Sequence, residues 1–210
     1  MASAVTSRGP RARQRVETRE RLFQAALDEI RHTGVAGAQV DRIVATAGVA
    51  RGTFYFHFPT KEDVLLEWER RREGEIVALL KDNPHLRLPL RGALLGVVTF
   101  LTALESAPSE RRLLLETLAM HVRHMADPSG YPLLNELEKI VEAARDRGEV
   151  RDDIQPRELA ILFLSNVFGF LVGHADPRLR QPDANLLVDV FLTGVEPVNG
   201  SASDTTRERS

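Results

Sequence analysis

Gly48-Val49-Ala50-Arg51-Gly52-Thr53-Phe54-Tyr55-Phe56-His57-Phe58-Pro59-Thr60-Lys61 reads as a short helix set between two stops. Gly48 offers the positive-φ turn that ends the helix before it. Pro59 prevents the short helix from continuing, because it lacks an N–H and clashes with the preceding turn. Between the stops, Phe54 and Phe58 lie four apart and share a buried face with Val49. The opposite face carries Arg51, Thr53, Tyr55 and His57. Cation, hydroxyl, phenol and imidazole are the donor types that bind phosphate oxygens and base edges. Thr60 then reads as an N-cap with Asp63 three residues on, a capping box with Asp in place of the usual Glu. Lys61 sits at the start of that next helix, where backbone N–H groups favour a phosphate. Upstream, Val40, Ile43, Val44 and Ala47 recur at i, i+3, i+4 and i+7, which is one amphipathic helix of about two turns. Helix, tight turn and second short helix make a helix-turn-helix pattern, whose second helix enters the major groove.

The run Gly48 to Glu62 resembles the signature of the tetracycline-repressor (TetR) family of bacterial regulators, and the resemblance extends over roughly residues 18–65. It is carried by Gly48, Gly52, Thr53, Tyr55, His57, Phe58 and Lys61. Three positions depart from it. Ala50 stands where the family commonly has Ser, so the recognition helix loses a side-chain cap worth about 1 kcal/mol. Ala38 stands where a Thr often caps helix 2, and Phe56 is bulkier and more apolar than many residues found there. The resemblance implies an all-α chain: a DNA-binding head at residues 17–63 and a helical ligand-binding and dimerisation body at residues 64–196. It also implies a homodimer on double-stranded operator DNA, repression, release by a small-molecule effector, and a place in the cytoplasm.

Composition sets wider bounds. The 210 residues are 43% hydrophobic, enough for a real core, and include no Cys, so neither a disulfide framework nor a cysteine metal site is expected. The N-terminus has arginines without an apolar segment after them, so it does not read as a secretory signal. With no run of about 18 apolar residues, nothing is expected to span a membrane. Charge is divided unevenly: residues 1–63 hold ten Lys/Arg against seven Asp/Glu, and the rest hold 18 against 23. A mildly basic head on an acidic body fits DNA binding at one end.

Residues 1–16, with Arg8, Arg11, Arg13 and Arg15, show no periodicity and are expected to be disordered, either a solvated tail or an arm reaching phosphates or the minor groove. Apolar periodicity then predicts nine helices. Helix 1 runs from about Glu17 to His32 and stops at Gly34. Helix 4 runs from Lys61 to about Leu80, with a charged and exposed middle at Glu67–Glu75. Helices over about 90–107, 109–125, 133–144, 157–173 and 183–195 follow, then a disordered tail from 197. Helix 8 is apolar around its circumference from Leu159 to Val172 except at Ser165, Asn166 and Gly169, so it must be covered all round by protein.

Candidate sites follow from these helices. For DNA they are Gln39, Arg51, Gly52, Thr53, Tyr55, Phe56, His57 and Lys61. Arg51 suits bidentate guanine recognition, although a solvated Arg has the same sequence signal. Tyr55 reads equally as a half-buried core residue, and Gly52 as turn economy or as room for close approach to the DNA backbone. For an effector the candidates are polar groups set among apolar helices, Thr99, His121, His124 and Asn166, with Phe100, Leu118 and Phe163 lining a cavity or simply filling the core. His121 and His124 have metal-ligand spacing, but two ligands do not make a site and no metal or other cofactor is expected. For a two-fold contact the candidates are Phe168, Gly169, Val172, Leu186, Val190 and Phe191. Control by a protein partner or by concentration in place of a ligand remains open. An all-helical enzyme is disfavoured, since no Ser-His-Asp grouping, P-loop or paired carboxylates stand out.

Overall fold

The computed structural model describes residues 9–83, 89–105, 108–124, 131–174 and 183–197. They form nine helices: α1 (Pro10–Gly37), α2 (Val40–Ala47), α3 (Arg51–His57), α4 (Glu62–Asp82), α5 (Leu90–Glu105), α6 (Pro108–His124), α7 (Pro132–Asp146), α8 (Pro156–His174) and α9 (Ala184–Val195). No strand occurs among the described residues. The chain divides into two compact units, Met1–Glu75 with Phe100–Tyr131, and Ile76–Thr99 with Pro132–Ser210. The division falls inside α4 and α5.

In the first unit the core gathers around three phenylalanines. Phe23 of α1 stacks on Phe58 with ring centroids 6.4 Å apart, and Phe58 lies 5.9 Å from Phe54. Leu22, Ala26 and Ile30 of α1, Ile43 and Ala47 of α2, and Val64, Leu65 and Trp68 of α4 are buried with them. Val49, expected on the same buried face, is half-buried. α6 packs on α1, where Arg31 donates to Glu110 Oε1 from Nε at 3.0 Å and from Nη2 at 2.6 Å, and Arg112 donates to the His32 carbonyl at 2.8 Å.

Two expectations are corrected here. Residues 10–16, expected in a disordered arm, are helical: Pro10 opens α1, which then kinks at Gly34 (φ 72) and runs on to Gly37. Pro is favoured in the first helical turn because its missing N–H would have had no partner there. The charged middle of α4, expected to be solvated, is instead used. Arg71 lies over the Phe23 ring at 3.9 Å and binds Glu20 and Glu67, while Arg19 binds Glu67 at 3.0 Å. Trp68 and Glu69 are buried.

In the second unit, α8 packs on α7 and on α9. Phe163 of α8 meets Phe191 of α9 edge-on at 5.2 Å. Asp183 caps α9 by accepting from the Leu186 N–H at 2.8 Å. Glu149 accepts from the Leu90 N–H at 2.7 Å at the start of α5. α8 is not covered all round. Leu159, Ala160, Phe163, Val167 and Leu171 are buried, whereas Ile161, Leu162 and Val172 are 41%, 50% and 45% exposed. Ser165, Asn166 and Gly169 lie on the same open stripe. An 18-residue stretch of this helix, Pro156–Gly173, is long and apolar enough to cross a membrane by length and composition, which the sequence reading did not foresee. Its packing on α7 and α9 accounts for the apolarity of one of its faces.

Candidate nucleic-acid interface

The turn before α3 is built as its residues dictate. Gly48 ends α2 in the left-handed region (φ 66, ψ 42), and the Val49 N–H returns to the Val44 carbonyl at 3.1 Å. Ala50 is the N-cap of α3 and offers no side-chain cap bond. The capping box at the other end forms: Asp63 Oδ2 accepts from the Thr60 N–H and hydroxyl, each at 2.8 Å, and the Asp63 N–H donates to Thr60 Oγ1 at 3.3 Å. A fixed turn before α3 and a fixed helix start after it hold seven residues that could not stay helical alone.

Phe54 and Phe58 anchor α3 inward, both almost wholly buried. That leaves Arg51, Gly52, Tyr55 and Phe56 exposed and Thr53 and His57 half-exposed. Arg51 is oriented from two sides. Its Nη1 pairs with Asp41 Oδ1 of α2, and its Nη2 donates to the Tyr55 hydroxyl at 3.4 Å. The remaining guanidinium N–H groups stay available for a planar two-acceptor partner. A Cβ added at Gly52 would meet nothing within 4 Å, so that position is open to an approaching backbone. The His57 imidazole is held below the usual histidine value, first by burial and then by the charges of Arg15 and Arg19. At neutral pH it therefore offers one ring N–H, not a cation.

Lys61, just before α4, also makes bonds within the protein. Its Nζ donates to the Ala38 carbonyl at 3.0 Å and the Ala36 carbonyl at 3.4 Å, bracing the α1–α2 junction. One of its three N–H donors is left over. Gln39 is exposed at the N-cap of α2, and its backbone N–H donates to Glu29 Oε1 at 3.3 Å. The sequence reading missed Asp41, ten residues from the Arg51 it orients. It also missed Arg19, whose four-residue step to Phe23 was the available signal.

The effector candidates do not gather in the same way. Thr99 is exposed, and so is Asn166, whose side-chain amide donates to the Leu162 carbonyl of its own helix at 2.7 Å. Asn166, expected to be buried, is corrected to the open stripe of α8. Phe163 is buried and Phe100 half-buried, while the side chains of Leu118, His121 and His124 lie outside the described residues. A cleft of about 580 Å³ lies at the α7–α8 junction, lined by Arg145, Gly148, Val150, Arg151, Asp152, Asp153 and Pro197, and contains none of the expected residues. Of the two-fold candidates, Gly169, Val172, Leu186 and Val190 are exposed, Phe168 is half-exposed, and Phe191 turns inward onto Phe163.

Residues 22–68 match the family described as bacterial regulatory proteins, tetR family. Those residues are a DNA-binding domain of that family's type. The matched span runs from the core of α1 through the turn and recognition-type helix to Trp68, which is the part whose geometry is given above. The HTH-type transcriptional regulator CymR of Pseudomonas putida is 41% identical over 82 residues, covering 37% of this chain and 40% of CymR. The regulator EthR of Mycolicibacterium smegmatis is 28% identical over 190 residues, 85% of this chain and 87% of EthR. The chain spans less than half the length of several curated relatives that it matches. Among solved structures, the Thermus thermophilus FadR repressor, in complex with lauroyl-CoA, superposes with a TM-score of 0.60 at 23% identity, covering 83% of this chain and 91% of FadR. That likeness bears on the fold, and it accords with the nine-helix all-α architecture seen here.

Proposed function

We propose that this chain is a homodimeric, sequence-specific DNA-binding regulator of the tetR family: a repressor that an apolar or amphipathic small molecule releases from a near-palindromic operator. The observation that carries DNA recognition is the outer face of α3, where Arg51 is oriented by Asp41 and Tyr55 beside an open Gly52. A pre-oriented guanidinium suits the O6 and N7 acceptors of guanine. Thr53, Tyr55 and His57 then supply neutral donors to flanking phosphates, with the spare N–H of Lys61 and the amide of exposed Gln39 at the edge. Phe56 offers an apolar contact at the same face.

Dimerisation is supported by the uncovered stripe on α8 and α9, where Leu162, Leu186 and Val190 are 50%, 53% and 65% exposed. A second copy presenting the same stripe would cover it about a two-fold axis. Gly169, with open space around its Cβ position, permits close helix approach. Two recognition helices so related would enter grooves about 34–36 Å apart or a multiple of that. Effector control is supported by the family and by relatives such as FadR with its lauroyl-CoA.

Selection of bound duplexes from a random pool tests the reading. We expect a near-palindrome, and we expect Arg51→Ala to cost about 1–3 kcal/mol and to relax preference at one position per half-site. Tyr55→Phe should weaken all sequences alike. If the wild-type chain enriches no duplex, the regulator reading is wrong. Effector control is tested separately, by the ability of acyl thioesters and other amphipathic molecules to release the selected duplex.

A further inference from the structure

The N-terminal part of α1 continues the core-facing stripe of the helix in a different chemistry. Ile30, Ala26 and Leu22 step along that stripe and are buried. Further toward the N-terminus the same face is occupied by Arg19, Arg15 and Arg11, each four residues from the next. Arg19 and Arg15 have run past the core and lie against the end of α3, and Arg11 is exposed further along the same face of α1. The Arg19 guanidinium lies 4.4 Å from the Phe58 ring centroid, donates to the His57 carbonyl at 3.4 Å and pairs with Glu67. Arg15 lies 4.9 Å from the ring centroid of Phe56, which is 65% exposed on the outer face of α3. Among the described residues neither Arg11 nor Arg15 is paired with a carboxylate.

Stacking uses the face of a guanidinium and leaves its in-plane N–H groups free. Phe56 therefore holds the Arg15 guanidinium near His57, whose imidazole its charge acts on. Arg11 stands one turn further out, about 6 Å along the helix axis. α1 has no acidic residue in its first turn. Arginines there oppose the positive end of the helix dipole, a local conflict that a nearby polyanion relieves. The surface is continuous with the outer face of α3, so a duplex lying on that face would reach it.

We propose that Arg11 and Arg15, with Phe56 as the platform for Arg15, form a second docking surface for the DNA sugar-phosphate backbone, outside the bases that α3 reads. The proposal rests on the DNA-binding reading above. It makes residues 10–15 a rigid helical extension of the recognition unit. It also assigns Phe56 a role in positioning an arginine, where the motif position alone suggests a direct contact.

The experiment measures affinity of the full-length protein for its selected duplex over a range of salt concentrations, by fluorescence anisotropy, with flanks long or trimmed to the half-sites. Arg11→Ala/Arg15→Ala should reduce the log–log salt slope by about two per protomer, since each phosphate contributes about 0.9. Base preference should be unchanged, and the loss should vanish on trimmed duplexes. Phe56→Leu should weaken binding in the wild-type background and add nothing in the Arg15→Ala background. Arg15→Lys should preserve most of the slope. Equal melting temperatures for the variants exclude a folding defect. A double variant with an unchanged slope, on a duplex the wild type binds, overturns the proposal and leaves the regulator reading standing. A changed flanking-base preference at unchanged slope overturns it in favour of groove reading. Failure of the wild type to bind any duplex overturns both.

Discussion

Val190→Glu and Leu162→Glu will each leave the chain monomeric at micromolar concentration, with a folded protomer. Both side chains are at least half exposed in the protomer, so neither substitution removes a core contact. Surface changes of this kind usually alter stability by no more than about 0.5 kcal/mol. Across a two-fold contact the same glutamate is buried without a partner, and such a charge costs about 3–5 kcal/mol, repeated by symmetry on the second protomer. A weakening of about 10⁴-fold or more in dimer affinity follows. Phe191→Glu, which the sequence alone would have recommended, is a poor test. Its ring packs on buried Phe163 within the same chain, so a charge there would unfold the protomer and mimic dissociation. Sedimentation velocity and thermal melting on the same samples separate the two effects. A wild-type monomer at micromolar concentration, or a fully dimeric Val190→Glu, would remove the α8–α9 contact from consideration. Operator affinity should fall with the dimer, because a single recognition helix gains only one half-site.

What could be read before the structure was local. Gly48 at positive φ, the reciprocal Thr60–Asp63 bonds and the inward pair Phe54 and Phe58 depend on neighbours within a few residues, and sequence spacing states them directly. The helix count was legible for the same reason. The partners of charges were not. Arg31 finds Glu110 and Arg71 finds Glu20 across long stretches of chain, so the charged middle of α4 looked solvated when it was braced against α1. Helix 8 shows the converse limit: apolar composition says that a face will be covered, but not by what. Its Asn166 was misplaced because a polar residue in an apolar run looks buried, whereas here it marks the open stripe. The start of α1 was misread from composition, although Pro10 followed by Arg, Ala and Gln is a sound helix opening. Lys61 shows how a motif position can carry a structural bond as well as an expected ligand contact.

Glu69→Gln will stabilise the protein at pH 8 and flatten its pH dependence. Glu69 is 9% exposed in α4, next to Trp68 at 3%. Burial pushes its carboxyl up to about 7, with Arg70 pulling partly the other way. The unfolded chain releases this proton near the ordinary value of 4.5. Below that value both states hold the proton and the group is neutral to stability. Between 4.5 and about 7 only the folded state holds it, so stability falls as pH rises. Above about 7 the cost is constant and on the order of 3 kcal/mol, from about 1.4 kcal/mol per pKa unit. Glutamine keeps the size and the hydrogen-bonding atoms without the charge. The melting temperature at pH 8 should therefore rise by roughly 6–12 °C, at 2–4 °C per kcal/mol for a chain of this size. At pH 4 the two proteins should melt together. His57 contributes with the opposite sign, since a lowered imidazole value makes the folded state resist protonation and lose stability as pH falls below about 6.5. That contribution is common to both proteins, so the difference between their melting curves isolates Glu69. A variant that melts at or below the wild-type temperature at pH 8 would show that the buried carboxylate is held by compensating bonds, not merely tolerated.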